Sequence, residues 1–174
     1  LGEPTDTLEI RIYSDGGDAL CGFGLYNLIL HHKGPTVAVI DGIAGSAATM
    51  PMIAAKRIKM HRAAMLYLHL PWLRAKTDIE SADRNAATLK QTTAIMVRAY
   101  MDRSGRSEAE VMAWLRSDRL WGPDEALAMG LVDEIIETPV RATAQRVRLA
   151  GAVMARLRAV PRAALTCVAK PKAK

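Results

Sequence analysis

A serine in a cluster of small residues is the feature that most constrains the fold of this chain. Residues 36–40 form an apolar, β-branched run typical of a buried strand, and they lead directly into the segment DGIAGSAATM at 41–50. A helix-like run over 50–56 follows. The pattern predicts that Ser46 lies at a tight strand-to-helix turn, where backbone N–H groups stabilise negative charge. A serine that only caps a helix has the same pattern, so the turn alone leaves both roles open.

Strands and helices alternate along the rest of the chain. Residues 8–13 alternate apolar and polar side chains as in a half-buried strand, and a pair of glycines then opens a helix from about Ala19. Residues 64–71 form an apolar strand with a histidine near its end. This alternation predicts an α/β domain.

Three further helices are marked by their end signals. The longest carries apolar residues at steps of three and four and is predicted to end at Gly105. Ser107 and Glu110 make a capping box for the next helix, and Pro123 starts a third one that stops at Gly130. The predicted face of the longest helix consists of Ile79, Ala82, Ala86, Leu89, Thr93, Met96 and Tyr100.

Ser46, His69 and Asp118 supply a nucleophile, a base and an acid in this order along the chain. Serine proteases of unrelated folds carry these groups in different orders, so the order decides nothing by itself. His69 on an apolar strand is also typical of a core histidine. Asp118 beside Arg119 is also typical of a surface ion pair, which contributes about 0–1 kcal/mol. No two histidines have the spacing of metal ligands, and the sequence predicts neither a metal site nor a cofactor.

Four motifs in this order resemble the ClpP family of serine peptidases. The segment YSDGG at 13–17 is similar to the family's glycine-glycine turn, and GIAGSA at 42–47 is similar to its nucleophile turn. HLP at 69–71 is similar to the end of the strand that carries the family's histidine, and 118–133 is similar to the block that opens with its aspartate. The resemblance implies an α/β fold of the ClpP/crotonase type, with a stacked β-sheet core and surrounding helices.

The resemblance also implies a serine endopeptidase that works through an acyl-enzyme. On this assignment Ser46 is the nucleophile, His69 is the general base and Asp118 orients the imidazole. The backbone N–H groups of Gly16 and Ala47 would hold the oxyanion, and one such donor is typically worth about 3–4 kcal/mol in the transition state. The implied assembly is a homo-oligomeric ring that acts on peptides or unfolded proteins, with an AAA+ unfoldase or phage capsid proteins as further partners.

Several features depart from the family pattern. Asp15 stands where the family has proline and adds negative charge near the expected oxyanion site, and Leu70 replaces the usual glutamine. Pro51 falls early in the helix behind Ser46, where only the first turn tolerates it. Relative to the family, we expect the chain to be N-terminally truncated, without the first strand and the segment at the axial pore. Residues 71–77 take the place of the family's handle between two rings, and an exposed loop is the alternative.

The positive charge of the chain is concentrated at its C-terminus. Nine basic residues and no acidic residue follow Glu137, and without these nine the net charge changes from +6 to −3. We therefore expect a peptidase-like domain at 1–138 and a basic extension at 139–174, either helical or disordered. A basic amphipathic helix there would bind nucleic acid, an anionic membrane or an acidic partner.

Cysteine usage and hydropathy indicate the compartment. The two cysteines, Cys21 and Cys167, suggest no disulfide framework, which predicts a reducing, cytoplasmic setting. The sequence has no uninterrupted apolar run of about 18 residues, so no transmembrane helix is predicted.

The sequence leaves three functions open. The first is a ClpP-like endopeptidase, either a housekeeping protease with an unfoldase or a phage or prophage head-maturation protease, which the basic tail and short N-terminus favour. The second is a crotonase-type enzyme for acyl-CoA thioesters, which uses backbone N–H groups and usually glutamates. The third is a non-catalytic ring subunit or fragment.

Overall fold

The structure is a computed structural model that describes residues 6–74 and 78–137. Six strands and five α-helices are present in this part of the chain. In chain order they are β1 Leu8–Ser14, α1 Ala19–Leu30, β2 Thr36–Gly45, a 3-10 turn Ser46–Ala48, α2 Thr49–Ile53, β3 Arg57–His61, β4 Met65–Leu68, α3 Ile79–Ser104, α4 Glu108–Ser117, β5 Arg119–Trp121, α5 Pro123–Ala128 and β6 Glu134–Ile136.

The described strands form a single sheet in which β2 is central. The order is β5-β4-β2-β3-β6, and β1 also pairs with β2. All neighbours are parallel except β4 and β5, which are antiparallel. Strand β2 changes its neighbour halfway, since residues 37–40 pair with β3 and residues 43–45 pair with β4. One strand therefore holds together both halves of the sheet.

The core is built from aliphatic and methionine side chains on the inner face of this sheet. Ile40 of β2, Met60 of β3 and Leu66 of β4 are fully buried. Every residue of α2 is buried as well, and this short helix contacts both α1 and α3. Among the described residues, Tyr100 of α3 is the largest fully buried side chain. With few aromatic residues available, stability depends on this close packing of medium-sized side chains.

The first half of the chain folds largely as predicted. Strand β1 and the start of α1 at Ala19 are confirmed. Strand β2 continues five residues beyond the predicted 40, because its small residues pair with β4. Helix α2 ends at Ile53, three residues before the predicted 56. Pro51 is the third residue of α2, within the first turn, where its missing N–H removes no intrahelical hydrogen bond.

Helix α3 is confirmed, with a difference in burial. It begins at a capping box of Asp78 and Ser81 and ends at Gly105, whose φ of 69° is the left-handed value that favours glycine. On the predicted face Met96 and Tyr100 are buried, whereas Ile79 is 92% exposed. The N-terminal half of α3 extends past the core. The periodicity therefore predicted which residues form the apolar face of the helix, but not how much of that face is buried.

The last elements also match their end signals. Helix α4 begins after the Ser107–Glu110 capping box, and α5 begins at Pro123. The predicted extension at 139–174, with Cys167, lies outside the described residues. Residues 75–77 of the predicted handle do as well. Among the residues that are described, Cys21 is an exposed free thiol, and no helix has the length and apolar character needed to cross a membrane.

Asp133 links the last strand to the middle of the sheet. Its Oδ2 accepts a hydrogen bond from the Ile58 N–H at 2.7 Å and lies 2.6 Å from Nη2 of Arg103, whose side chain is 13% exposed. Its own N–H donates to the Ile58 carbonyl at 2.9 Å. The carboxylate therefore satisfies a strand donor and neutralises a largely buried cation from α3.

We expect Asp133→Ala to lower the free energy of unfolding by about 1–3 kcal/mol, because it leaves the Ile58 N–H without its acceptor and the Arg103 cation without its counter-charge. The matched control is Asp102→Ala, which removes an exposed pair with Arg98 in α3. Exposed pairs of this kind contribute about 0.3–0.5 kcal/mol. Urea denaturation followed by circular dichroism measures both, and equal losses in the two variants would contradict the role assigned to Asp133.

Candidate active site

Ser46 follows the end of β2 in a left-handed backbone conformation. Its φ is 49°, which costs a non-glycine residue roughly 1–2 kcal/mol. Strain of this kind concentrates at functional sites. Gly45 and Ala48 are the N-caps of the 3-10 turn and of α2, and no side-chain hydrogen bond caps either. The capping role that the sequence left open is therefore absent, and the hydroxyl has another partner.

That partner is His69. Strand β4 runs parallel to residues 43–45 of β2, with Tyr67 opposite Gly45. The two segments that follow these strands therefore leave the sheet side by side. His69 lies just beyond β4, and its Nε2 is 2.7 Å from Oγ of Ser46. The ring is half-buried at the sheet edge rather than enclosed in the core. The structure thus brings the first two predicted site residues into contact.

Asp118 reaches the same edge from another direction. It joins α4 to β5 with a φ of 48°, a conformation that aspartate tolerates better than most residues. The antiparallel register pairs Leu68 with Arg119, and one further step places Asp118 opposite His69. Its Oδ1 nevertheless accepts a 2.6 Å hydrogen bond from the Tyr67 hydroxyl. Within the part of the chain that the structure describes, no hydrogen bond joins Asp118 to His69.

Arg119 has its own partners. Its Nη2 lies 2.8 Å from Oε1 of Glu125, and its guanidinium lies 3.4 Å from the ring centroid of Trp121. The ion pair between Asp118 and Arg119 that the sequence left open is not formed. Asp118 is exposed and directs its carboxylate to the site instead.

Tyr67 is the site residue that the sequence reasoning missed. Its ring stacks on His69 with 4.9 Å between centroids and 18° between planes. The hydrogen bond to Asp118, with burial and the nearby negative charge adding to it, raises the pKa of the Tyr67 phenol above its ordinary value. The signal was available, because residues two apart on a strand share a face.

The backbone of the glycine turn lies directly against Ser46. A Cβ at Gly16, whose φ is 114°, would lie 2.7 Å from the Gly45 carbonyl oxygen and 2.7 Å from Cβ of Ser46. It would also lie 3.1 Å from the Ala47 nitrogen, so only glycine fits. The Gly16 N–H donates to Oγ of Ser14 at 3.2 Å. The oxyanion roles of the Gly16 and Ala47 N–H groups stay predictions. To donate to an oxyanion, the Gly16 N–H would have to give up its hydrogen bond to Ser14.

A buried hydrogen-bond chain supports the Ser46 turn from below. The Thr49 hydroxyl donates to the Ser46 carbonyl oxygen at 2.6 Å and is also hydrogen-bonded to the Tyr100 hydroxyl. Because a hydroxyl has one proton to donate, Thr49 accepts the bond from Tyr100. Burial raises the pKa of Tyr100 to about 12, so the phenol keeps its proton at neutral pH and remains a donor. Helix α3 is thereby tied to the backbone of Ser46.

An open cleft of about 710 Å³ leads to Ser46 and His69. Pockets of this size hold small ligands or short peptide segments. Asp15 lines the cleft with an exposed carboxylate, as expected from its place in the glycine turn. The larger apolar side chains on the cleft wall are Leu20, Phe23, Met50, Trp72, Leu73, Leu89 and Met96. Over residues 6–74 and 78–137, no three histidine, cysteine or acidic side chains cluster as metal ligands would.

Comparison with known proteins places these features in a family. The family model described as Clp protease matches residues 2–139. The chain belongs to the Clp protease family. Membership supports a serine protease in general, and it supports a homo-oligomer because members of the family form rings.

Among solved structures, a ClpP1 mutant from Listeria monocytogenes is similar to this Clp-family chain. The TM-score is 0.70 at 22% sequence identity, over 78% of this chain and 77% of that chain. At this identity the likeness shows the fold alone. The ClpP-type α/β fold expected from the sequence is therefore confirmed.

We expect Thr49→Val, which keeps the shape of the side chain, to lower the free energy of unfolding by about 1–3 kcal/mol, because the buried Tyr100 phenol loses its acceptor. The control is Thr93→Val in α3, whose hydroxyl bonds only to the Leu89 carbonyl one turn earlier. Urea titration of both variants measures the difference. A loss at Thr49 no greater than that at Thr93 would contradict the supporting role.

Proposed function

We propose that this chain is a serine endopeptidase that cleaves peptide bonds through an acyl-enzyme formed on Ser46. The observation that carries the proposal is the 2.7 Å contact between Oγ of Ser46 and Nε2 of His69. A serine hydroxyl is a weak nucleophile until a base removes its proton, and this distance lies in the range that such a transfer requires. The left-handed backbone at Ser46 exposes the hydroxyl to the cleft.

The reaction follows from the positions of these two side chains. With Nε2 of His69 unprotonated, the Ser46 hydroxyl donates to it and passes its proton across as Oγ attacks the substrate carbonyl carbon. The carbonyl oxygen becomes an oxyanion. When the carbon–nitrogen bond breaks, the imidazolium returns the proton to the leaving amine, and the acyl group stays on Ser46. A water activated by the same imidazole then releases the acid and restores Ser46.

Backbone donors near Ser46 would stabilise the oxyanion. The Ala47 nitrogen is adjacent to the nucleophile, and Gly16 packs against both residues. Preorganised donors of this kind act where charge develops, in a partly dry site. Asp118 is assigned the orientation of the imidazole, a role that requires its carboxylate to reach His69.

The cleft favours a polypeptide substrate. Its wall is mainly apolar and open along its length, which suits an extended chain with apolar side chains. Among the described residues that line it there is no glutamate, so nothing favours the acyl-CoA alternative. The close contact of Ser46 with His69 likewise gives no support to a non-catalytic subunit.

We also propose that the active form is a homo-oligomer. Large apolar side chains of β1 and α1 lie exposed along one groove, with Tyr13 at 79%, Leu28 at 71% and Leu25 at 49%. Contiguous apolar surface of this kind is typical of protein–protein contacts. A head-maturation setting remains a prediction from the sequence, and the basic tail on which it depends is outside the described residues.

The decisive experiment is labelling by a fluorophosphonate probe, with the modified residue found by mass spectrometry. We expect modification at Ser46, none in Ser46→Ala, and labelling slowed about 10²–10⁴-fold in His69→Gln because the general base is lost. The control Ser104→Ala removes a hydroxyl at the end of α3, outside the cleft, that bonds to the Tyr100 carbonyl and the Arg106 N–H, and this variant should label normally. A folded protein that is not labelled, or one whose labelling survives Ser46→Ala, would overturn the proposal.

A separate experiment tests whether the proposed peptidase works in head maturation or with an unfoldase. Since the chemistry uses only side chains and backbone of this chain, we expect an unfolded protein substrate to be degraded without nucleotide. Adding an ATP-driven unfoldase should leave that rate unchanged if the head-maturation assignment is right. Strong stimulation by the unfoldase would instead favour the housekeeping setting.

A further inference from the structure

We propose that Tyr67 is a positioning residue that competes with His69 for the Asp118 carboxylate and so withholds it from the Ser46–His69 pair. This inference rests on the proposed peptidase function. It concerns a residue that the sequence motifs do not include, and its basis is the geometry of the edge where β4 and β5 end.

The register of the sheet places both donors within reach of a single acceptor. Tyr67 of β4 and His69, the first residue after this strand, are two residues apart, and their stacked rings lie on the same side. Asp118 lies opposite His69 by extension of the β4–β5 pairing, and it is diagonal to Tyr67. A diagonal neighbour across a strand pair is within reach of a long aromatic side chain. The phenol and the imidazole thus face the same carboxylate.

In the structure the phenol holds that carboxylate. Oδ1 of Asp118 accepts from the Tyr67 hydroxyl at 2.6 Å, a short bond typical of a charged acceptor. The stacking of Tyr67 on His69 fixes the direction of the phenol. Within the described residues, Nδ1 of His69 has no hydrogen-bond partner, while Nε2 faces Ser46. The imidazole therefore has its nucleophile but not its orienting acid.

Little prevents the carboxylate from changing partners. Asp118 is exposed, its neighbour Arg119 is engaged by Glu125, and no other described hydrogen bond holds its side chain. A rotation about the side-chain bonds of Asp118 exchanges the phenol for the imidazole. In the second arrangement the carboxylate stabilises the imidazolium that forms during catalysis, whereas in the first it does not. The Tyr67 hydroxyl favours the first.

Tyr67→Phe isolates the hydroxyl, because phenylalanine keeps the ring that stacks on His69. The readout is the pKa of His69, followed by NMR through its Cε1 in protein labelled at histidine and assigned with His69→Gln. Since the freed carboxylate stabilises the imidazolium, we expect this pKa to rise. Labelling of Ser46 by the fluorophosphonate should become several-fold faster, with the acid limb of its pH profile moved to higher pH.

The other ionisable groups near His69 stay constant in this comparison. Asp15, Asp18 and Arg74 line the same cleft, and all three are present in both proteins. Tyr26→Phe is the matched control, because it removes the phenol hydroxyl of a half-buried tyrosine of α1 that lies outside this cleft. It should change neither the His69 pKa nor the labelling rate. Asp118→Asn added to Tyr67→Phe should abolish both gains, because the effect acts through the carboxylate.

The outcomes separate this inference from the proposed function. A higher His69 pKa in Tyr67→Phe supports competition even if Ser46 is never labelled, in which case the peptidase function fails and the competition stands. An unchanged or lower pKa overturns the competition, and labelling at Ser46 would then leave the peptidase function intact. Slower labelling in Tyr67→Phe would also overturn it, by showing that the hydroxyl assists the site.

Discussion

The parallel pairing of residues 43–45 with β4 is the interaction on which the rest of the site depends. Backbone hydrogen bonds of this short ladder fix how Ser46 and His69 leave the sheet, so their 2.7 Å separation is set mainly by main-chain geometry. On the other side of the same strand, Ser14 pairs with Ala44 and brings the glycine turn against Ser46. The glycine turn, Ser46 and His69 therefore meet because they follow β1, β2 and β4, and β2 pairs with both of the other strands.

The two sides of the site differ in rigidity. Beneath Ser46, Thr49 and Tyr100 form a fully buried hydrogen-bonded connection to α3, and rearranging it would leave polar groups without partners. Beyond His69, the acidic residue is exposed, and water can replace any partner it loses. Ser46 is thus held firmly by buried hydrogen bonds, while the Asp118 carboxylate lies where its partners can be exchanged.

The sequence predicted the α/β fold and most helix ends, because strand patterns and caps are local signals. That Ser46 and His69 meet was implied only by the resemblance to a family, since no local signal joins two distant segments. It did not predict that β2 continues to Gly45, since small residues have weak strand preference and pair only when a neighbour is present. It did not predict Tyr67 as the partner of Asp118 either. Two donors lie within reach of this carboxylate, and small differences in distance decide from which of them it accepts a hydrogen bond. The spacing of residues in the sequence does not encode such differences.

The left-handed backbone at Ser46 and Asp118 also limits which residues evolution can place there. A threonine nucleophile is chemically close to serine, but its branched Cβ is poorly tolerated at a φ of 49°, whereas cysteine is unbranched. Asparagine is the easiest neutral replacement for Asp118, because it accepts the same conformation, while glutamate would keep the charge and fit the backbone less well. In this chain the main-chain angles, as much as the chemistry, limit which amino acids can stand at positions 46 and 118.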